Sequence, residues 1–258
     1  MEKIILITLC GLAWGSFLNV VIYRFPRRKS LIKPASSCPH CHRKIKIYDN
    51  IPVFSYLFLR GRCRYCHRKI SLSYPLVEML TPLSFLLLYF QHSLNFFFFA
   101  SCLFVSALIL LGFIDFYHQI LPDEITLPGI LLAVVYSPFR PHLNLTQSLV
   151  GAVAGAGFLL FVYGGYYLLR KKEGLGMGDV TMMLMTGAYL GWRQAFLVLI
   201  LASFAGALVG VFFIFFKKKN LQYSLPFGSF LAASAYVSLL WGEKIISSYL
   251  SLYKNLVV

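Results

Sequence analysis

Acidic residues are scarce in this chain: nine Asp and Glu stand among 258 positions, against 24 Lys and Arg, for a net charge of +15. Charge of either sign is low as well, at 13% of residues, where a soluble domain carries about 25%. That deficit excludes an ordinary water-soluble globular fold. The long apolar runs are continuous and do not alternate with polar residues, which argues against a membrane β-barrel. The basic excess has no recognition helix or stacking motif beside it, so no nucleic-acid partner is expected. Neither an internal repeat nor a low-complexity segment stands out.

What the chain has is apolar length. Hydrophobic residues make up 59% of it, in runs able to cross a hydrocarbon core of about 30 Å as helices. Eight such runs are expected, near residues 4–22, 75–90, 95–114, 124–138, 147–169, 178–192, 195–216 and 225–241. The predicted fold is therefore an all-α polytopic membrane protein with about eight transmembrane helices. Residues 1–23 form the first span, 24–74 a small cytoplasmic domain, 75–241 a seven-helix core and 242–258 an amphipathic tail at the membrane surface. The first run carries Arg24, Arg27, Arg28 and Lys29 after its apolar stretch, so it reads as a span and not as a cleavable leader. The positive-inside rule then puts the N-terminus outside. With eight spans, 19 of the 24 basic residues fall on the cytoplasmic side, where a basic loop lies beside anionic lipid.

Residues 24–74 are too few to build an independent apolar core and need a staple. Two knuckles supply one: Cys38-Pro39-His40-Cys41 and Cys63-Arg64-Tyr65-Cys66. Each Cys-x-x-Cys turn points two thiolates at one place, and two of them complete a tetrahedron around zinc. Four thiolates leave no open coordination position, so this zinc is expected to be structural. A reducing cytoplasm disfavours the alternative of disulfides. His40, His42 and His67 flank the knuckles, and four cysteines make them unnecessary as ligands. Cys10 and Cys102 lie within spans and read as small core residues.

Two of the scarce carboxyls sit at the ends of apolar runs. Asp115 ends Leu110-Leu111-Gly112-Phe113-Ile114-Asp115, and Asp179 ends Gly176-Met177-Gly178-Asp179. An ionisable group at membrane depth costs roughly 2.5 kcal/mol or more and argues for function. The expected topology places both near the cytoplasmic face on different helices. Sharing a site, one carboxylate takes a proton from water and the other, neutral, protonates the scissile carbonyl. Gly174, Gly176 and Gly178 leave the backbone bare for close approach of substrate. A flexible loop ended by a helix-capping aspartate is the other reading of the same residues. Asp123 and Glu124 follow Pro122 and read as a helix start. Glu78, after Pro75, reads as structural or auxiliary, with a loop arginine or a substrate as its partner. Two readings from other classes use these features differently: a proton-coupled transporter carrying protons on Asp115 and Asp179, and a zinc-stabilised membrane adaptor.

The chain resembles the type IV prepilin peptidases, bacterial leader peptidase/N-methyltransferases of the GxGD intramembrane aspartyl protease type. The resemblance rests on Gly15-Ser16-Phe17-Leu18-Asn19 running on to Arg24, both knuckles with Asn50-Ile51-Pro52 and Ser55-Tyr56-Leu57 between them, and Arg60-Gly61-Arg62-Cys63. It continues through Tyr74-Pro75-Leu76-Val77-Glu78, Ile114-Asp115, Leu121-Pro122-Asp123, and Gly176-Met177-Gly178-Asp179 with Gly191-Trp192. It implies that Asp115 and Asp179 are catalytic, supported by Gly176, Gly178 and Asp123, and that the knuckle loop is associated with methyl transfer. It implies as substrates type IV prepilins and pseudopilins, cut after a glycine on the cytoplasmic face of a bacterial inner membrane. S-adenosylmethionine is the methyl donor that the resemblance implies, although residues 24–74 hold no glycine-rich cofactor loop. Where the family often has Glu-Asn-Ile-Pro, this chain has Asp49-Asn50-Ile51-Pro52.

Overall fold

The structure is a computed structural model that describes residues 1–139, 143–171, 176–217 and 225–257. The described residues form nine α-helices and no strands: α1 (Glu2–Arg24), α2 (Phe54–Phe58), α3 (Ser73–His92), α4 (Phe96–His118), α5 (Asp123–Tyr136), α6 (Leu145–Arg170), α7 (Met177–Leu190), α8 (Trp192–Lys217) and α9 (Phe227–Val257). Each of the eight expected runs falls on one helix, overhanging its ends by at most two residues, and α2 in the knuckle region is a ninth, short helix.

Among the described residues five segments are long and apolar enough to cross a membrane: Glu2–Arg27, Ser73–His92, Phe96–His118, Leu145–Arg170 and Trp192–Phe213. Side chains such as Phe161, Leu168 and Leu169, 79%, 80% and 85% exposed, are what a lipid-facing surface requires. Helices α5 and α7 have 14 residues each, which at 1.5 Å per residue is about 21 Å, short of the hydrocarbon thickness. Their apolar character has another origin in α7, whose residues Met185 to Leu190 are all buried in protein. Helix α9 runs without a break from Phe227 to Val257, so the expected surface tail continues the preceding helix.

The chain divides into two compact units, Met1–Leu110 and Leu111–Val258, with the boundary inside α4. The expected seven-helix core grouped α3 with the later helices; in the structure α3 belongs to the first unit. There α1 packs along α3. Two glycines one turn apart make this possible: a Cβ on Gly11 would lie 2.6 Å from Pro82 Cα, and one on Gly15 would lie 3.0 Å from Glu78 Cα. Trp14 Nε1 donates to Ser106 Oγ at 2.9 Å, tying α1 to α4 within the same unit.

In the second unit α7 is central, packed by α5, α6, α8 and α9. The tightest crossing is α6 on α7. A Cβ on Gly151 would collide with the Gly187 carbonyl oxygen, and the reverse holds for Gly187. Backbone contact of this kind is how helices associate where lipid removes the hydrophobic drive. Ser148 Oγ donates to Ala188 O at 2.7 Å across the same seam. Of the small-residue pairs expected to pack closely, Gly151 and Gly155 do so, whereas Gly206 and Gly210 meet their neighbours only at ordinary distances of 3.7 and 3.4 Å.

Candidate active site and metal centre

Asp115 lies in the last turn of α4 and is 5% exposed. Its Oδ2 accepts the Ser229 backbone N–H at 2.6 Å and lies 3.0 Å from the Ser229 hydroxyl. Ser229 is the third residue of α9, where backbone N–H groups lack intrahelical acceptors and the helix end is partially positive. Asp179 is the third residue of α7 and is 7% exposed. Its Oδ2 accepts the Gly176 N–H at 3.2 Å. Each carboxyl therefore has one oxygen fixed by the N-terminus of a helix.

The two aspartates belong to the same unit and lie on either side of one residue, Leu121. Leu121 fills the space between the two helix starts. A Cβ on Gly178 would lie 2.7 Å from Leu121 Cβ, and one on Gly228 would lie 2.8 Å from Leu121 Cδ1 and 3.0 Å from Asp115 Cγ. Gly178 and Gly228 hold the same position, second in α7 and second in α9, and any side chain there would displace the carboxyl group or the loop beside it. Gly176 leaves the Asp179 carboxyl uncrowded, since a Cβ there would stop 3.5 Å from Oδ2. Gly174 and Glu173 lie outside the described residues.

Asp123 is exposed as the first residue of α5, the helix start expected there, with Pro122 in the capping position. Its Oδ1 accepts from Thr181 Oγ1 at 3.3 Å, which ties α5 to α7 two residues from Asp179. Sequence reasoning missed Gly228 and Ser229. Neither is unusual in an apolar run, and no local pattern connects them to Asp115.

In the first unit the sulfur atoms of Cys38, Cys41, Cys63 and Cys66 all lie within 4.8 Å of one another. The Cys38 and Cys66 sulfurs are 3.8 Å apart. A tetrahedron with metal–sulfur bonds of about 2.3 Å has edges of about 3.8 Å, while a disulfide needs about 2.05 Å. The four cysteines fit a metal ion. Backbone N–H groups of Cys66 and Tyr65 face the Cys63 sulfur and pull its thiol down to about 7. Cys66 is favoured as thiolate by the Arg68 backbone, but burial and the three neighbouring thiols oppose this and push it up to about 11. Four such groups ionise together only around a cation. His40, His42 and His67 stand outside the cluster, and His40 Nδ1 instead pairs with Arg68 at 3.2 Å.

The two knuckles are copies of one another, which corrects the expectation of no repeat. Cys41-His42-Arg43-Lys44-Ile45 recurs as Cys66-His67-Arg68-Lys69-Ile70. The bridges Ser37 to Lys44 and Arg62 to Lys69 match. So do the bonds from Cys38 N–H to Arg43 O at 3.0 Å and from Cys63 N–H to Arg68 O at 2.9 Å. His42 and His67 take the same left-handed conformation, with φ of 56° and 54°. Between the knuckles Arg64 closes a two-pronged ion pair on Asp49, with Nε 2.8 Å from Oδ2.

A helical membrane chain with a paired-aspartate site in one unit and a four-cysteine centre in the other is the class that fold and site define. The Bacterial Peptidase A24 N-terminal domain family matches residues 9–92, and the Type IV leader peptidase family matches residues 102–211. The chain belongs to the type IV leader peptidase family. It is 36% identical to the prepilin leader peptidase/N-methyltransferase of Pseudomonas putida, over 96% of this chain and 94% of that one. It is 35% identical to the protein of that name in Aeromonas salmonicida, over 95% of this chain and 93% of the other. For the Legionella pneumophila protein the identity is 32%, over 95% and 94%. No solved structure matches.

Proposed function

We propose that this chain is an intramembrane aspartyl endopeptidase that removes the basic leader of type IV prepilins and pseudopilins, and an N-methyltransferase of the new N-terminus. Membership of the family and the relatives' shared name support both activities. The observation that carries the peptidase reading is the pair of buried carboxyls, Asp115 and Asp179, each held by one oxygen at a helix N-terminus. Fixing one oxygen of each orients the other toward a shared substrate position. One carboxylate removes a proton from water as the water attacks the scissile carbonyl carbon. The other, protonated, hydrogen-bonds and then protonates the carbonyl oxygen; the collapse of the gem-diol passes a proton to the leaving amine. No covalent intermediate is needed.

The chain would act in the bacterial inner membrane with the aspartates near the cytoplasmic face and eight helices crossing or entering the bilayer. Asp123, Gly176 and Gly178 support the site by tying α5 to α7 and leaving space around Asp179. Zinc suits Cys38, Cys41, Cys63 and Cys66, because a closed thiolate tetrahedron is a structural zinc environment. It would hold the knuckle region in one shape without touching peptide hydrolysis. A sulfonium donor such as S-adenosylmethionine would supply the methyl group, and residues 1–110 are the half of the chain left for that activity.

The deciding experiment uses the purified chain in detergent with a peptide bearing a basic leader, a glycine and an apolar helix of about 20 residues. Cleavage after the glycine by wild type, absent from Asp115→Asn and Asp179→Asn, supports the reading. Equal cleavage by all three assigns the activity to a contaminant. Folded protein that never cleaves favours proton transport or a binding role for these carboxyls.

A further inference from the structure

Glu78 is a carboxylate on α3 that is 9% exposed, and among the described residues the one ion pair joins Arg64 to Asp49. The loop arginine considered as its partner from sequence is not there. Burial of an ionised carboxyl at the end of a membrane helix is costly without compensation. The compensation is neutral. Val53 donates its backbone N–H to Glu78 Oε2 at 2.7 Å, and the side chains of Ser16 and Asn19 face the carboxyl from α1. Asn19 also donates to Tyr74 O at 2.9 Å, which holds its amide in place.

The Val53 bond comes from an unusual turn. Val53 has φ 64° and ψ −52°, and Phe54 N–H donates back to Pro52 O at 2.7 Å. This is the γ-turn with a positive φ at its centre, rare for any residue and strongly disfavoured for a β-branched one. Conformations of this kind persist where the surroundings over-determine them, and they gather at ligand-binding sites. Here the turn aims one N–H at one carboxylate oxygen. Ser16, Asn19, Val53 and Glu78 all belong to the first unit, apart from the aspartates. They form a polar cluster whose one carboxyl has no charged partner among the described residues.

The group that would balance it is a cation. On the reading that residues 1–110 carry methyl transfer, on which this inference rests, the methyl acceptor arrives as one: the α-ammonium group of the cleaved pilin. We propose that Glu78 anchors that amino group and accepts its proton. An ammonium nitrogen has no lone pair and cannot attack. Passing one proton from nitrogen to a Glu78 carboxylate oxygen frees the pair. The nitrogen then forms an N–CH3 bond while the S–CH3 bond of a sulfonium donor breaks, and that electron pair stays on sulfur in a neutral thioether. The product is a secondary ammonium, and the proton on Glu78 passes to water. Ser16 stands beside the carboxyl as a neutral acceptor for a second amine hydrogen.

The test uses the full chain in detergent without a methyl donor, and two peptides with the sequence of a mature pilin N-terminus. One has a free α-amine and the other is N-acetylated. Wild type should bind the free amine at least about tenfold more tightly, the worth of a charged hydrogen bond. Glu78→Gln should erase that preference while leaving the acetylated peptide's affinity and the thermal unfolding midpoint where they were. A preference that survives the substitution, or an equal loss for both peptides, overturns the proposal. If Glu78→Gln does not fold, dicyclohexylcarbodiimide on the wild-type complex decides. It joins an amine to a carboxyl in contact with it as an amide, with release of a urea. Peptide mapping should place the bond on Glu78, and an adduct elsewhere, or none, overturns the proposal. Methylation by wild type is assayed in parallel. Amine preference without methylation sinks the methyltransferase reading of the first unit and keeps the anchor; methylation without amine preference sinks the anchor alone.

Discussion

Asp115 and Ser229 are 114 positions apart, yet the Ser229 N–H meets Asp115 Oδ2 at 2.6 Å. The start of α9 is thereby fastened to the end of α4, and a carboxyl group is fastened with it. Asp179 does for α7 what Asp115 does for α9: each places a carboxylate oxygen on a backbone N–H at the helix start, the capping Gly176 in one case and Ser229 in the other. The favourable helix-end contact offsets part of the cost of keeping an acid in apolar surroundings. The pair proposed to be catalytic is thus held by the same bonds that cap two helices.

Replacing either aspartate by asparagine keeps an acceptor oxygen for the capping bond and removes the acid. Peptide cleavage should fall by about 10²–10⁴-fold in Asp115→Asn and in Asp179→Asn. Thermal unfolding midpoints should move little. Methylation of a pre-cleaved peptide should continue in both, measured by mass spectrometry. Loss of methylation together with cleavage would mean that the two activities share these residues.

Ser229→Ala removes a hydroxyl 3.0 Å from Asp115 and keeps the N–H bond. Cleavage should drop by about three- to tenfold, the range of one hydrogen bond, with substrate affinity unchanged. A steady-state comparison of kcat and KM reads this directly. An unchanged kcat would make the hydroxyl a partner of Gly112 O alone, which it also meets at 2.9 Å.

Gly178→Ala should cost more. Its Cβ would press on Leu121 Cβ at 2.7 Å, and that atom is rooted in the backbone between α4 and α5. The loop must shift, and Asp179 shifts with it. Cleavage should fall by about tenfold or more, since small displacements of catalytic groups are costly. Leu121→Gly in the same chain removes the opposing atom and should restore part of the loss. Failure of that rescue would place the fault in the α7 backbone.

The aspartates and cysteines were legible in sequence because each breaks a rule: an acid at the end of an apolar run, and thiol pairs in a basic loop. Ser229 and Gly228 break none. Their role depends on a contact between α4 and α9 that no local pattern encodes. Hydropathy identified all eight helices but could not tell how α7 uses its apolar residues, since side chains buried in protein look the same as those facing lipid. The place of α3 beside α1 was written in Gly11 and Gly15, a spacing that acquires meaning only once Pro82 and Glu78 are seen against it. The knuckle repeat was hidden because only five consecutive residues are identical.

Metal removal should separate the units. The chain as purified should carry one zinc ion, measured by elemental analysis. Chelation, or Cys38→Ser with Cys63→Ser, should make residues 24–74 sensitive to protease, because the four thiolates that converge on one point tie the two knuckles together. Cleavage of prepilin peptide should survive, since Asp115 and Asp179 belong to the other unit. Protease resistance unchanged by chelation would remove zinc from the account of this region.

Asp49 gives that region an acid limit of its own. The Arg64 guanidinium holds the Asp49 carboxyl below its ordinary value, near 3.9 in a free chain. A carboxyl with a lowered value in the folded state contributes stability above the unfolded value, and loses it as pH falls through the folded one. The Asp49–Arg64 tie should therefore be constant between about pH 5 and pH 8 and fade below about pH 4. Thiolate ligands are also lost in acid, so the comparison must be a difference between chains. Asp49→Asn should show faster hydrogen exchange across residues 47–50 and 63–66 than wild type at pH 7, and the gap should close as the pH approaches 4 and passes below it. A gap that persists in acid would show that the asparagine disturbs packing, and that the charge on Asp49 contributes nothing.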